Sequence, residues 1–106
     1  MSQGFKVAAA LLLAASLAAP ALAEDTAALY KAKCAMCHGA DGLAATPVGK
    51  TMKVLSFKAP EMVSATDARF IASTANGKGA KMPAYKGKLT DAQIKDVVAY
   101  IRTLQK

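Results

Sequence analysis

The sequence predicts an all-α fold: three to four short helices joined by long loops. Three observations carry this. Ile94, Val97, Val98, Ile101 and Leu104 recur at helical spacing. Thr90 and Gln93, just before that run, have the T-x-x-Q spacing of a capping box. After residue 23, no stretch alternates apolar and polar side chains as a half-buried strand would.

The chain opens with a signal. Met1 to Lys6 is short and positively charged, and an apolar run extends from Val7 to Ala19. Pro20 interrupts the run, Ala21-Leu22-Ala23 has the small-x-small form of a cleavage site, and Glu24-Asp25 follows. Residues 1–23 therefore read as a secretory signal peptide cleaved after Ala23, with residues 24–106 as the mature domain. The run is shorter than the roughly 20 residues that span a bilayer, which disfavours a transmembrane anchor. No cysteine stands at the first position after Ala23, so a lipid anchor is not indicated. The expected location is periplasmic or otherwise exported.

Composition sets further bounds. The full chain has 106 residues, so one domain is the limit, and the mature part is short enough for a bare apolar core to be marginal. A large apolar cofactor would supply the missing core. Lys and Arg number 14 against 7 Asp and Glu, for a net charge of +7. The lysines are densest at Lys50/Lys53/Lys58 and Lys78/Lys81/Lys86/Lys88. A solvated surface is the default reading of such charge; the functional one is salt-dependent steering towards acidic partners. Nucleic acid is an improbable partner for a secreted chain with no binding motif.

Asp25 to Lys33 reads as the first mature helix, with Asp25 or Thr26 as its N-cap. Alanine, leucine and lysine favour it. It leads into Cys34-Ala35-Met36-Cys37-His38, which holds both cysteines and the only histidine of the chain. This C-x-x-C-H pentapeptide is the pattern of covalent haem attachment, and a metal or redox motif is the competing reading. Thiols three residues apart share one face of a helical turn, so both reach one edge of a porphyrin. His38 is then placed to offer its imidazole to the iron. A structural zinc site needs four ligands, and no second Cys/His cluster exists in the sequence. A thioredoxin-type motif needs a βαβ setting, which the chain lacks.

Residues 39 to about 62 read as loops, with one short turn near Pro60-Glu61; wrapping a cofactor accounts for so long a loop. Ser64 to Asp67 offers N-caps, and a helix follows to Asn76, with Phe70, Ile71, Thr74 and Ala75 on its buried side and Gly77 as its stop. The next loop places Met82 directly before Pro83, whose ring stiffens the backbone. In the last helix, Leu89 and Ile94 flank the cap as a hydrophobic staple.

With His38 on one side of an iron, the other position falls to methionine, lysine, water or a small exogenous ligand. Met36 is too close to His38 to reach the opposite face. Met52 and Met62 are more ordinary as flexible core fillers, which leaves Met82 as the leading candidate. Methionine opposite histidine raises the reduction potential and closes the position where oxygen would bind. The free ring N–H of His38 needs an acceptor, for which the carbonyl of Pro47 or a neighbour is a candidate; otherwise Pro47 is simply a turn residue.

The pentapeptide, the stretch Asn76-Gly-Lys-Gly-Ala-Lys-Met82-Pro83-Ala-Tyr85 and the stretch Leu89 to Arg102 together resemble class I c-type cytochromes, in particular small bacterial c6-like or c-555-like monohaem carriers. The resemblance spans essentially the whole mature chain. It implies a class I cytochrome c fold around one covalently bound haem c and its iron, held by thioethers from Cys34 and Cys37 with His38 and Met82 as axial ligands. It also implies that Tyr30 meets Val97 and Tyr100 where the first and last helices cross, that Val98 and Ile101 face the haem, and that Pro47 accepts from His38. Thr26 or Ala27 stands where the family often has a small residue at the crossing. The function so implied is one-electron transfer between redox proteins by a monomeric, exported carrier, not catalysis. Two alternatives stand beside it: a haem enzyme or gas- or peroxide-binding sensor with a displaceable sixth ligand, and a docked cytochrome subunit of a larger oxidoreductase.

Overall fold

The computed structural model describes residues 18–106. The basic opening and most of the apolar run of the expected signal lie outside the described residues. Six helices follow in order: α1 Ala18–Lys33, α2 Ala35–His38, α3 Pro47–Thr51, α4 Pro60–Val63, α5 Asp67–Asn76 and α6 Asp91–Leu104. No strand forms among the described residues; pairing is confined to isolated bridges, Lys78 with Met82 and Lys86 with Leu89.

Two helices match the expectation closely. In α6 the capping box is complete. Thr90 N–H donates to Gln93 Oε1 (2.9 Å) and Gln93 N–H donates to Thr90 Oγ1 (3.1 Å). Its buried face is Ile94, Val97, Val98 and Ile101. Thr66 caps α5 by accepting from Arg69 N–H, and Gly77 ends it at φ 74°.

The start of α1 differs from the expectation. Its described part runs back to Ala18, so in the uncleaved chain Asp25 and Thr26 lie within the helix and Pro20 does not break it. The alanines and leucine that follow propagate the helix.

The 39–62 region is also more ordered than expected. Two helices interrupt it, and α3 is one the sequence does not announce by periodicity. Thr46 caps α3, and Pro47 occupies its first turn.

The core sits where α1 crosses α6 and where α5 packs beside α6. Tyr30 is fully buried at the crossing, and its ring lies 5.0 Å from that of Tyr100. Val97, Val98, Ile101, Phe57 and Phe70 complete the cluster. Each buried aliphatic side chain contributes about 1.5–3 kcal/mol. The α5–α6 ion pair, Arg102 to Asp67 at 2.8 Å, has Asp67 mostly in solvent and belongs to a class worth about 0–1 kcal/mol. Apolar burial therefore sets the helix arrangement. Arg102 adds more through its plane, 4.6 Å from the Phe70 ring centroid, and through its bond to the Ala65 carbonyl.

Candidate functional site

Between the pentapeptide, the 52–62 loop, α5 and the Met82 loop lies a cleft of about 420 Å³, a cofactor-sized volume. Cys34, Cys37 and His38 line it, as do Met82, Pro83 and Tyr85 from the loop after α5, and Val97 and Ile101 from α6. Fold and sequence thus bring the two distant motifs to one cavity.

The pentapeptide is held from several directions. His38 N–H donates to the Cys34 carbonyl at 3.0 Å, and Gly39 N–H to Ala35 at 2.8 Å, which winds α2 as one turn. The Tyr30 hydroxyl donates to the Gly39 carbonyl at 2.7 Å in a buried setting. Thr46 reaches the motif from the other side. Its hydroxyl donates to the Met36 carbonyl (2.7 Å), with the Cys37 carbonyl at 3.2 Å, and accepts from Gly49 N–H at 2.9 Å. Gly49 is needed for this approach, because a Cβ there would stand 2.7 Å from the Ala44 carbonyl oxygen and closer still to that of Cys37.

No disulfide joins Cys34 and Cys37. Burial first, then the neighbouring Cys37, pushes the Cys34 thiol up to about 11. Burial lowers the His38 pKa below its ordinary value, which favours the neutral, ligand-competent imidazole. The ring stacks on Phe57 with centroids 4.6 Å apart and planes 16° from parallel. His38 Nδ1 is buried with no hydrogen-bond partner, a cost of about 1–3 kcal/mol for a neutral group. Among the described residues, no group of three or more His, Cys, Asp and Glu side chains could hold a metal ion.

Pro47 and Val98, which the resemblance places at the haem, are not in the lining of the cleft. Pro47 is exposed, does not line the cleft and accepts nothing from His38. It opens α3, and a first-turn carbonyl points along its own helix towards the residue four further on. Val98 is buried in the core cluster but does not line the cleft. Val97 lines the cleft with Ile101 instead; Ile101 lies between the two valines on the helix face, so the seating of the loops, not the helical period, selects Val97. Ile101 lines the cleft.

Sequence reasoning missed three residues that shape the site. Phe57, the partner of the His38 ring, was the one aromatic of a long loop, which could have marked it as an anchor. Thr46 stands before a proline, the pattern of an N-cap and N1 pair. Tyr85 was quoted only as part of a loop, yet it lines the cleft and its hydroxyl donates to the Lys33 carbonyl at 3.0 Å.

The donor set suits haem. Two reduced thiols, a neutral buried imidazole and a thioether converge on a mostly apolar cavity. The charged lining residues are Lys33, Lys53, Arg69, Lys78 and Lys81 against Glu61 alone, a balance suited to a cofactor bearing carboxylates.

Comparison with known proteins agrees. The family model for cytochrome c oxidase, cbb3-type, subunit III matches residues 21–101. Cytochrome c6 of Nostoc sp. is 42% identical over 89 residues, covering 81% of this chain and 77% of its own. The chain belongs to the class I c-type cytochromes. Cytochrome c6 of Synechocystis sp. is 39% identical over 89 residues, covering 81% of this chain and 71% of its own. The cbb3-type oxidase subunit CcoP of Azospirillum brasilense is 30% identical over 90 residues, which is 79% of this chain but 29% of that protein. A solved structure, the KustC0563 c-type cytochrome, superposes with a TM-score of 0.71 at 30% identity, covering 76% of this chain and 98% of its own. This cytochrome carries covalently bound haem c with its iron and is an electron-transfer protein working with redox partners, not an enzyme. No described helix is long and apolar enough to cross a membrane.

Proposed function

We propose an exported, monomeric one-electron carrier in which Cys34 and Cys37 hold the haem as thioethers and His38 and Met82 are its axial ligands. The observation that carries this reading is the meeting of His38 and Met82, 44 positions apart in sequence, in the lining of a single apolar cleft. When bound, the group supplies an iron that accepts and returns one electron. The chain's part is to orient the imidazole, present the thioether and exclude water. His/Met ligation raises the potential and occupies the position that a substrate oxygen would need.

Export rests on residues 1–23, with cleavage after Ala23 and delivery to the periplasm or an equivalent compartment. Docking rests on charge. Lys33, Lys53, Lys78 and Lys81 rim the cleft, which suits partners with acidic patches and association that weakens as salt rises. Carbon monoxide added to the reduced holoprotein at neutral pH tests the carrier against the sensor or enzyme alternative. No spectral change is expected; rapid, complete binding would place the protein in the alternative class.

A second reading, a cytochrome subunit docked in a larger oxidoreductase, is favoured by the family model's description and by the similarity to CcoP. It keeps the site chemistry and changes the partner. Size-exclusion of the protein from its source separates the two, a free carrier eluting as a monomer.

A further inference from the structure

Backbone bonds tie the Met82 loop to the end of α5. Lys78 N–H donates to the Met82 carbonyl (2.9 Å), Tyr85 N–H to Thr74 (3.1 Å) and Lys86 N–H to Ala75 (3.0 Å). None of these reaches the cysteine side of the cleft. One side chain does. The Tyr85 hydroxyl donates to the Lys33 carbonyl at 3.0 Å, spanning 52 positions of sequence. Among the described residues it is the single hydrogen bond between residues 77–89 and the segment Lys33 to His38.

The acceptor is available for a plain reason. Lys33 is the last residue of α1, and the final carbonyls of a helix have no intrahelical donor. No backbone N–H among the described residues takes it. The ring of Tyr85 is half-buried and lines the cleft with Cys34, Cys37 and Met82. A phenylalanine would fill the same space and lack the bond.

We propose that Tyr85 is a positioning residue: its hydroxyl fastens the Met82 loop to the helix end that delivers Cys34, and so holds the Met82 sulfur on the iron. The inference rests on the reading of Met82 as axial ligand. One neutral hydrogen bond changes an equilibrium roughly two- to tenfold. Loop opening, and with it displacement of Met82, should increase by that factor when the bond is lost.

The test is Tyr85→Phe in the holoprotein, with imidazole binding to the ferric form and amide hydrogen exchange of residues 78–86 as readouts. Thermal unfolding confirms that the variant folds. The expected result is imidazole affinity roughly two- to tenfold higher, faster exchange at the Tyr85 and Lys86 amides, and a retained sulfur-to-iron absorption band in the red. Unchanged imidazole binding and exchange, in a protein whose wild type shows the band, would overturn the positioning role alone. A wild type without the band would overturn the ligand reading and the positioning role with it.

Discussion

The backbone of Gly77 lies directly against that of Met82: a Cβ at position 77 would stand 2.6 Å from the Met82 carbonyl oxygen. The same Cβ would meet the Ala84 nitrogen and the Pro83 carbonyl carbon, both at 2.8 Å. Gly77 also sits at φ 74°, where side chains are disfavoured. The glycine that ends α5 is therefore also the surface on which the Met82 loop rests.

Gly77→Ala should move that loop. The left-handed backbone alone costs about 1–2 kcal/mol, and the contacts with Met82, Pro83 and Ala84 add to it. Denaturant unfolding of the holoprotein should show a lower midpoint, and the red sulfur-to-iron band should weaken. A variant with wild-type stability and spectrum would mean that the loop is seated by something else.

Thr46→Val keeps the shape of the side chain and removes the hydroxyl that caps α3 and holds the Met36 and Cys37 carbonyls. Loss of an N-cap of this kind costs about 1 kcal/mol, within a range of 0.5–2. Thr46→Ser should recover most of it. Urea midpoints of the three proteins measure the effect, and equal midpoints would deny Thr46 its bridging role.

How much of this was legible beforehand follows from the length and patterning of each element. The helix α6 was readable because its capping box and apolar stripe lie within one continuous stretch, and both are formed by neighbours in sequence. The meeting of His38 with Met82 was readable because only three methionines beyond the motif were free to serve. Which face of α6 meets the cleft was not. Val97 and Val98 are equally buried, and only the seating of the loops against α6 decides that Val97 lines the cavity. The helix α3 escaped notice because five residues containing Gly49 and two β-branched side chains show no period. Its signal was the Thr46-Pro47 pair.

Arg102 and Asp67 should part company on mutation. Asp67→Asn removes a partner that is 70% exposed, and an exposed pair is worth about 0–1 kcal/mol. Arg102→Ala also loses the stacking over Phe70 and the bonds to Ala65 and Gln105. It should cost clearly more, about 1–3 kcal/mol. Equal losses in the two variants, compared by thermal unfolding, would show that the ion pair dominates.

Without haem on its imidazole, acid should loosen the chain through His38. Its folded pKa is lowered from 6.5 by burial, so the unfolded chain takes up a proton first. Below about pH 6.5 the unfolded state binds more protons, and stability therefore falls as pH falls towards the lowered value, by up to about 1.4 kcal/mol per unit. The chain has one histidine, which makes the assignment unambiguous. Urea midpoints of the haem-free protein between pH 7.5 and pH 5.5, about one unit either side of the ordinary histidine value, should decline. A flat profile there would contradict the buried neutral imidazole.

The most direct test of the account is an optical redox titration of wild type beside Met82→Ala. Wild type should titrate as one haem, with the weak red absorption of sulfur-ligated iron present only when oxidised. The variant should lack that absorption, titrate at a lower potential and bind carbon monoxide when reduced. A Met82→Ala protein with the wild-type spectrum and potential would contradict it, and the sixth ligand would have to be sought elsewhere in the cleft.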